Sequence, residues 1–577
     1  MFNKLFGNKK KSKTQQRQIE TITLNIKGMT CDHCATSIEK KVSTLDGIIE
    51  EKVSYPEESG GFRFDASKTS RDAIINTINA LGSYQVLGET GANGHLKEKR
   101  SPVSSKNKES GQFFDLIIIG GGSAAFAAAI QAEELGLSTL MVNAGLPIGG
   151  TCVNVGCVPS KYLIRAAESI RRASFSPFDG ITTKKPDWDY KKIIQQKKAL
   201  VGELQKKKYL DIVGDLSNVK VVVGWAKFTS EKTIIVGDET YTGLKFILAT
   251  GATTYIPDYE GLKEVDYLTN ISLFNLEEQP ESLIILGAGY IALEIAQAYN
   301  RFGTNVQIVH RSERILRSQM PDITDELHKH LTNDGIDIQL NNTIQKVSKS
   351  GNKVNVEAIQ NGQPKSYEAT HILVATGTQP NSRGIGLEEI GVELGPKGHI
   401  KVNSKQETSL PHIYAVGDCT NTPAFVYTAA YEGKIAVQNA FSGKMIDADY
   451  TGLPWVIFTD PQVAGAGMDE KAAEEAGIPY ETSVVPLTEV PRSQAALDTR
   501  GFIKLIRNPE TDKLIGARIV APEGGELAMQ ASLAIKYSIP VEDLANSFHP
   551  YLTLSEGIKL AAITFHKDVA ELSCCAS

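Results

Sequence analysis

Cysteine is scarce, with seven in 577 residues, far too few for a secreted fold built around disulfides. The odd count leaves at least one sulfur unpaired. Excess positive charge is also missing. Lys and Arg number 61 against 67 Asp and Glu, a net charge of −6, so the footprint of a nucleic-acid binder is absent and no nucleic-acid partner is expected. Long hydrophobic runs are lacking too. The most apolar stretch, residues 116–130, is broken by Gly120, Gly121 and Gly122 and is shorter than the roughly 20 residues a membrane span requires. Residues 1–20 hold Lys4, Lys9, Lys10, Lys11, Lys13 and Arg17 with no apolar core or small-residue cleavage site behind them, and they read as a solvated basic tail. No membrane span is expected, and the thiols suit a reducing, cytoplasmic compartment. What remains is a composition of 41% hydrophobic and 22% charged residues, normal for globular proteins, at a length that suggests about four domains.

The few cysteines are grouped. Six fall in close pairs with three different spacings, Cys31 and Cys34, Cys152 and Cys157, Cys574 and Cys575, while Cys419 stands alone as a core residue. Such grouping suggests thiol chemistry at three places.

Around the pairs the chain divides into segments. Residues 21–88 alternate in a βαββαβ order: an extended run at Ile22–Ile26, a helix over Ala35–Val42, extended runs near Val53 and Phe62, a helix over Ser70–Ala80 and a short strand at Tyr84–Leu87. Residues 89–112 are rich in Gly, Ser, Lys and Asn, as a flexible linker would be. An apolar strand at Phe113–Ile119 then runs into Gly120-Gly-Gly122-Ser-Ala-Ala125 and a helix, and the design returns about 167 residues later as Ser282–Leu286 followed by Gly287-Ala-Gly289-Tyr-Ile-Ala292. Two strand–glycine–helix units imply two Rossmann-like dinucleotide-binding domains in an α/β chain. The expected boundaries are 113–264 with 386–450 for the first, 265–385 for the second, and 451–577 for an α+β C-terminal domain.

Each fingerprint presents backbone N–H groups at a helix start to a pyrophosphate, with Ala125 or Ala292 in place of the third glycine. The position that meets the adenosine ribose falls on Asn143 in the first unit and His310 in the second. Asn143 offers an amide where a carboxylate is usual. His310 is followed by Arg311, Arg314 and Arg317, which suits a 2′-phosphate and favours NADPH over NADH. A solvated basic helix start is the other reading of those arginines.

The most specific string is Gly149-Gly150-Thr151-Cys152-Val-Asn-Val-Gly-Cys157-Val-Pro-Ser-Lys161. It resembles the redox-active cysteine pair of the flavin disulfide reductases, as do Ile247-Leu-Ala-Thr250-Gly251, Val374-Ala-Thr-Gly377 and Ile413-Tyr-Ala-Val-Gly-Asp418. That resemblance implies FAD at the first site, held by Gly120, Gly122, Ala125, Asn143, Gly150, Thr151, Lys161, Thr250, Gly251 and Asp418. It implies NADPH at the second, held by Gly287, Gly289, Ala292, His310, Arg311 and Gly377. Cys157 would be the thiolate facing the flavin, Cys152 the exchanging thiol, and Lys161 would lie near the flavin paired with Glu294. The C-terminal domain would make a homodimer whose active site spans the interface. A helix start and a nearby lysine both favour a thiolate, the nucleophile and the soft-metal ligand.

The two ends bear on the substrate. Gly28-Met-Thr-Cys31-Asp-His-Cys34 sits between the first strand and helix of the βαββαβ unit and resembles the heavy-metal-associated domains, which are ferredoxin-like. A Cys-x-x-Cys pair selects soft cations, with a thioredoxin-like redox role as the competing reading and His33 expected in an exposed loop. Cys574 and Cys575 are adjacent, and two free thiolates are more natural there than a strained disulfide; an uninvolved frayed tail is the alternative. Together, these features resemble the mercuric reductases within the flavin disulfide reductase family. The resemblance implies Hg(II), delivered as a small thiol complex, as substrate, and a metal path through Cys31, Cys34, Cys574, Cys575, Cys152 and Cys157. Tyr551 of one subunit and Tyr209 of the other would flank the inner site, and a mercury transporter or carrier would be a partner. Thiol-disulfide members have a Glu five residues after a His-Pro motif; here that position after His549 is Leu554, and the acid is Glu556. Dihydrolipoamide dehydrogenase, another thiol-disulfide reductase, or a soft-metal binding protein with a vestigial flavin core remain the alternative readings.

Overall fold

The computed structural model describes residues 19–27, 29, 32–55, 58–81, 84–89, 112–568 and 571. Cys31, Cys574 and Cys575 lie outside them, and the side chain of Cys34 is likewise not described. The chain forms two compact units, one N-terminal through residue 111, the other holding nearly all that follows.

The N-terminal unit has the βαββαβ order, with strands Ile19–Lys27, Ile48–Ser54, Ser59–Asp65 and Gln85–Glu89 and helices Asp32–Val42 and Arg71–Asn79. Its sheet runs Ile48–Ser54, Ser59–Asp65, Ile19–Lys27, Gln85–Glu89. Alternation in Ile22, Leu24 and Ile26 puts all three on the face that packs against Ile38, Ile74 and Ile78, and Phe62 and Phe64 complete the core. Ser70 caps the second helix by accepting from the Ala73 N–H at 3.2 Å. One expectation fails here. The first helix starts at Asp32 rather than Ala35, so the backbone of His33 and Cys34 is in its first turn and not in a loop.

In the second unit, Thr139–Asn143, Gln112–Ile119 and Glu239–Leu248 are parallel neighbours. Ile413–Ala415, some 165 residues further on, joins Phe246–Leu248 in parallel, so the chain returns to its first sheet after building a second. That second sheet is parallel, in the order Asp337–Gln339, Asn305–Val309, Ser282–Leu286, His371–Val374. Both central strands, Leu116–Ile119 and Leu283–Leu286, are buried, as continuous apolar runs in parallel sheets should be. The C-terminal part is a five-stranded antiparallel sheet, Pro454–Ile457, Gln462–Gly467, Lys513–Ala521, Phe502–Asn508, Glu481–Pro486, covered by the helix Gly524–Lys536. Among the described residues no helix is long and apolar enough to cross a membrane.

Candidate active site

The two glycine turns are built alike. Gly120 has φ +140° and a Cβ there would lie 2.1 Å from the Ala249 carbonyl oxygen; Gly287 has φ +117° and its Cβ would lie 2.3 Å from that of Ala375. Those alanines belong to the two Ala-Thr-Gly strings, so each string abuts one fingerprint, and only glycine tolerates both the approach and the backbone angle. Gly122 and Gly289 precede the helices Ser123–Glu134 and Tyr290–Phe302 with no side-chain cap. The first N–H groups are left for an anion. At the first turn Gly149 N–H donates to the Gly121 carbonyl at 2.8 Å, and a Cβ on Gly150 would meet Gly122 Cα at 2.6 Å. Ala125 and Ala292 are fully buried where each helix packs on its strand.

The two ribose positions differ. Asn143 is buried, donates from Nδ2 to the Leu146 carbonyl at 3.0 Å, and sets its carboxamide oxygen in the space that a Gly121 side chain would take. His310 has a buried Nε2 without a protein partner. Burial, aided by Arg311 and Arg317, pushes its pKa down to about 4, so the ring is neutral near pH 7. An orphaned buried nitrogen beside exposed Arg311 and Arg317 fits a nucleotide that brings hydroxyls and a phosphate. Arg314 is drawn towards Asp325, at 4.0 Å. Gly377 has φ +124° and its carbonyl accepts from Tyr255 N–H at 2.9 Å. At the first site Thr250 and Gly251 offer their carbonyls to Asn381, from Nδ2 at 3.0 Å and from N–H at 2.9 Å. Both groups, FAD and NADPH, fit the residues present.

Asp418 lies in a one-turn segment, Gly417–Cys419, and burial raises its pKa. The turn is fixed by an acid that the sequence reading missed. Glu432 is fully buried and accepts from Gly417 N–H and from Tyr450 Oη, each at 2.7 Å. An acid amid Ala429, Ile435 and Ala436 on the buried face of its helix was the available signal. Cys419 is completely buried, donates its thiol to the Val416 carbonyl at 3.3 Å, and is pushed up to about 11 by that burial.

Cys152 lies in the short helix Gly150–Asn154 and Cys157 is the first residue of the helix Cys157–Ser174; both are free thiols in this structure. Their environments are unequal. The Cys152 thiol donates to the Cys157 sulfur, which with the Lys161 charge and the Cys157 backbone N–H lowers Cys157 to about 7, against burial and Glu294. That same hydrogen bond, with burial and the neighbouring sulfur's charge, drives Cys152 well above the ordinary thiol range. Lys161 is one turn after Cys157, and its Nζ donates to Glu294 Oε2 at 2.7 Å across 133 residues. The other Glu294 oxygen accepts from Phe458 N–H at 2.9 Å. Two tyrosines absent from the sequence-derived site share this charge environment. Both side chains are partly exposed, but protein crowding around their hydroxyls, then Cys157, raises Tyr427 to about 12, and the same crowding, then Asp418, Glu294 and Cys157, raises Tyr290. Tyr290 directly follows Gly289 as the first residue of the second fingerprint helix, a position that sequence alone marks as ligand-facing.

Tyr209 sits in a π-helical turn, Lys206–Leu210. Its ring meets Phe126 edge-on at 4.9 Å, its hydroxyl is 3.5 Å from Ser123 Oγ, and it lies against Gly149, three residues before Cys152. Tyr551 is exposed beyond the helix Val541–Asn546. His549 Nδ1 faces the Ser547 carbonyl at 3.3 Å, while Glu556 is buried and accepts from Leu552 N–H at 3.3 Å. Each member of the would-be acid–base dyad is thus directed to its own neighbour.

Known proteins match this arrangement along the chain. Residues 114–433 match the pyridine nucleotide-disulphide oxidoreductase family, 453–562 its dimerisation domain and 23–83 the heavy-metal-associated domain. The chain is 40% identical to the mercuric reductase of Staphylococcus aureus over 551 residues, covering 96% of this chain and 98% of that one. It is also 40% identical to the mercuric reductase of Streptomyces lividans, covering 80% of this chain and 98% of that one. Among solved structures, the HOCl-induced flavoprotein disulfide reductase RclA from Escherichia coli superposes with a TM-score of 0.71 at 26% identity, over 78% of this chain and all of that one. With its two glycine turns, its unequal thiol pair and these matches, the chain belongs to the mercuric reductases of the pyridine nucleotide-disulphide oxidoreductase family.

Proposed function

We propose that the protein reduces Hg(II) to elemental mercury with NADPH, through FAD and the pair Cys152 and Cys157. The observation that carries this is geometric: two free thiols, Cys152 and Cys157, follow the first dinucleotide turn, Cys157 opens a helix, and Lys161 one turn later donates to Glu294 at 2.7 Å. NADPH and FAD, when bound, would supply one electron pair that opens the Cys152–Cys157 disulfide once, priming the enzyme, and thereafter one pair for each mercuric ion, the dithiol persisting between turnovers. The balance is one NADPH and one Hg(II) consumed for one NADP⁺, one proton and one mercury atom.

The chain's residues handle the ion and its thiols. Hg(II) arrives held by two thiolates, and soft sulfur ligands are exchanged by attack of another thiolate. Cys31 and Cys34 take it first and pass it to Cys574 and Cys575 of the partner subunit, from which it moves inward. Cys157 is the inner ligand, ionised near neutral pH; Cys152 is the outer one, which loses its proton as the metal binds. Lys161 keeps positive charge beside the thiolate, and Glu294 holds Lys161. Tyr209 and the partner subunit's Tyr551 line the approach. Reduced mercury no longer binds thiolate and leaves. The compartment is cytoplasmic, and a thiol-bearing carrier or transporter supplies the ion.

The active species is a homodimer, in line with the dimerisation-domain match. Replacing Cys152 by Ala should abolish mercury turnover, while NADPH still bleaches the flavin. Full mercury turnover in that variant would refute the proposed path. The orientation of His549 and Glu556 favours mercury over a disulfide substrate, because no paired base stands ready for a leaving thiol's proton.

A further inference from the structure

Lys161 is held by more than its ion pair. Its Nζ lies 4.4 Å from the centroid of the Phe458 ring while donating to Glu294 Oε2 at 2.7 Å. Phe458 follows the first strand of the C-terminal sheet, Pro454–Ile457, and its own N–H donates to the remaining Glu294 oxygen at 2.9 Å. One residue therefore touches both members of the pair, the acid through its backbone and the ammonium through its ring face. A lysine stem has four rotatable carbons, and a partly exposed ion pair alone fixes it weakly. An aromatic face attracts the ammonium from another direction.

The segment bearing Phe458 is itself fastened to the second fingerprint helix. Asp460 N–H donates to Gln297 Oε1 at 2.7 Å, and Gln297 Nε2 returns a bond to the Asp460 carbonyl at 2.9 Å. Arg301 reaches one Asp460 carboxylate oxygen at 2.7 Å and Arg500 the other at 2.8 Å. Glu294, Gln297 and Arg301 recur at i, i+3 and i+7, a single helix face. That face holds the 458–460 segment in register, and so sets where the Phe458 ring stands.

We infer that Phe458 is a positioning residue of the redox centre: its ring, supplied by the C-terminal domain, keeps the Lys161 ammonium where its charge favours the reduced flavin. This rests on the reading that Lys161 faces the FAD. The aromatic face is the active feature, so tyrosine should replace it and an aliphatic side chain of similar size should not.

The test compares Phe458→Leu, Phe458→Tyr and Lys161→Met holoenzymes with the parent. The measurements are the flavin midpoint potential by dye equilibration, the rate at which NADPH reduces the flavin, and the melting temperature. For Phe458→Leu we expect a more negative potential and flavin reduction slower by roughly three- to tenfold, with the apparent affinity for NADPH unchanged. Phe458→Tyr should match the parent in both. Lys161→Met should shift the potential the same way and further. If Lys161→Met moves the potential and Phe458→Leu does not, the role of Phe458 is refuted and the reading of Lys161 stands. If neither moves it, both fall. A Phe458→Leu protein that melts earlier at unchanged potential has lost packing alone, and that outcome also overturns the inference.

Discussion

Alanine at Gly120 or at Gly287 separates the two nucleotide sites. Each added methyl would meet a backbone carbonyl, at 2.1 Å from Ala249 and 2.3 Å from Ala375, at a positive φ that L residues resist. Gly120→Ala should yield colourless protein, and Gly287→Ala should yield yellow protein whose flavin NADPH reduces at least about tenfold more slowly. Flavin absorbance after purification and stopped-flow reduction decide it; a Gly287→Ala enzyme reduced at the parental rate would remove the second turn from the NADPH site. The thiols give a pH test. Cys157 is lowered to about 7, chiefly by the Cys152 hydrogen bond and then by Lys161. Its thiolate is therefore present above that pH and disappears as pH falls through it. Iodoacetamide, which consumes thiolate, should modify the reduced enzyme with an inflection near pH 7 rather than near the roughly 8.5 of a free cysteine, and Lys161→Met should move that inflection upward. At this scale the sequence was informative where chemistry is local: glycines at fixed spacing and Lys161 one turn from Cys157. It was silent on Phe458, Glu432 and Tyr427, because their partners lie at Glu294, Gly417 and Pro454, and nothing in a half-buried aromatic or one helical acid names a partner so distant.

Single elements hold two further tests. The π-helical turn Lys206–Leu210 inserts one residue's worth of backbone into an otherwise α-helical run, between Tyr190–Gln205 and Asp211–Asp215, and such turns re-aim side chains. Removing Lys208 to restore α-helical register would rotate Tyr209 by about 100° relative to the preceding helix. Mercury turnover should fall while NADPH oxidation by an artificial dye acceptor persists; equal retention of both would detach Tyr209 from the metal path. The helix Gly524–Lys536 exposes Met529, Leu533 and, at its end, Tyr537, spaced i, i+4 and i+8 as one apolar stripe. Leu533→Glu should convert dimer to monomer in sedimentation and, if the proposed site draws on both subunits, cost mercury turnover. The βαββαβ elements and the two strand–glycine–helix units were legible from sequence. The start of the first helix was not, since an Asp-His-Cys string reads equally as loop or as first turn.

At the scale of the molecule, the chain returns to its first sheet. Ile413–Ala415 adds to Glu239–Leu248 only after the second parallel sheet is complete, and this delivers Asp418 to the turn beside the first fingerprint helix, where Gly433 permits contact with the Ala124 backbone. Repeated glycine strings marked two nucleotide units in the sequence and the return was expected only from the resemblance that carries Asp418, whereas the docking of the C-terminal sheet on the second fingerprint helix, through Gln297, Arg301, Asp460 and Arg500, needed the fold. In the proposed path Cys574 and Cys575 would carry the ion from bulk thiols to Cys152 and Cys157. Their double alanine variant should lose most turnover when mercury is offered as a tight dithiol complex and little with a small monothiol complex. The most direct measurement is simultaneous: NADPH absorbance and released mercury vapour, with excess thiol, before and after Hg(II) is added. NADPH loss that begins with Hg(II) and matches mercury evolved one for one is the expected result; NADPH oxidation indifferent to Hg(II), or Hg(II) bound without vapour, would contradict it.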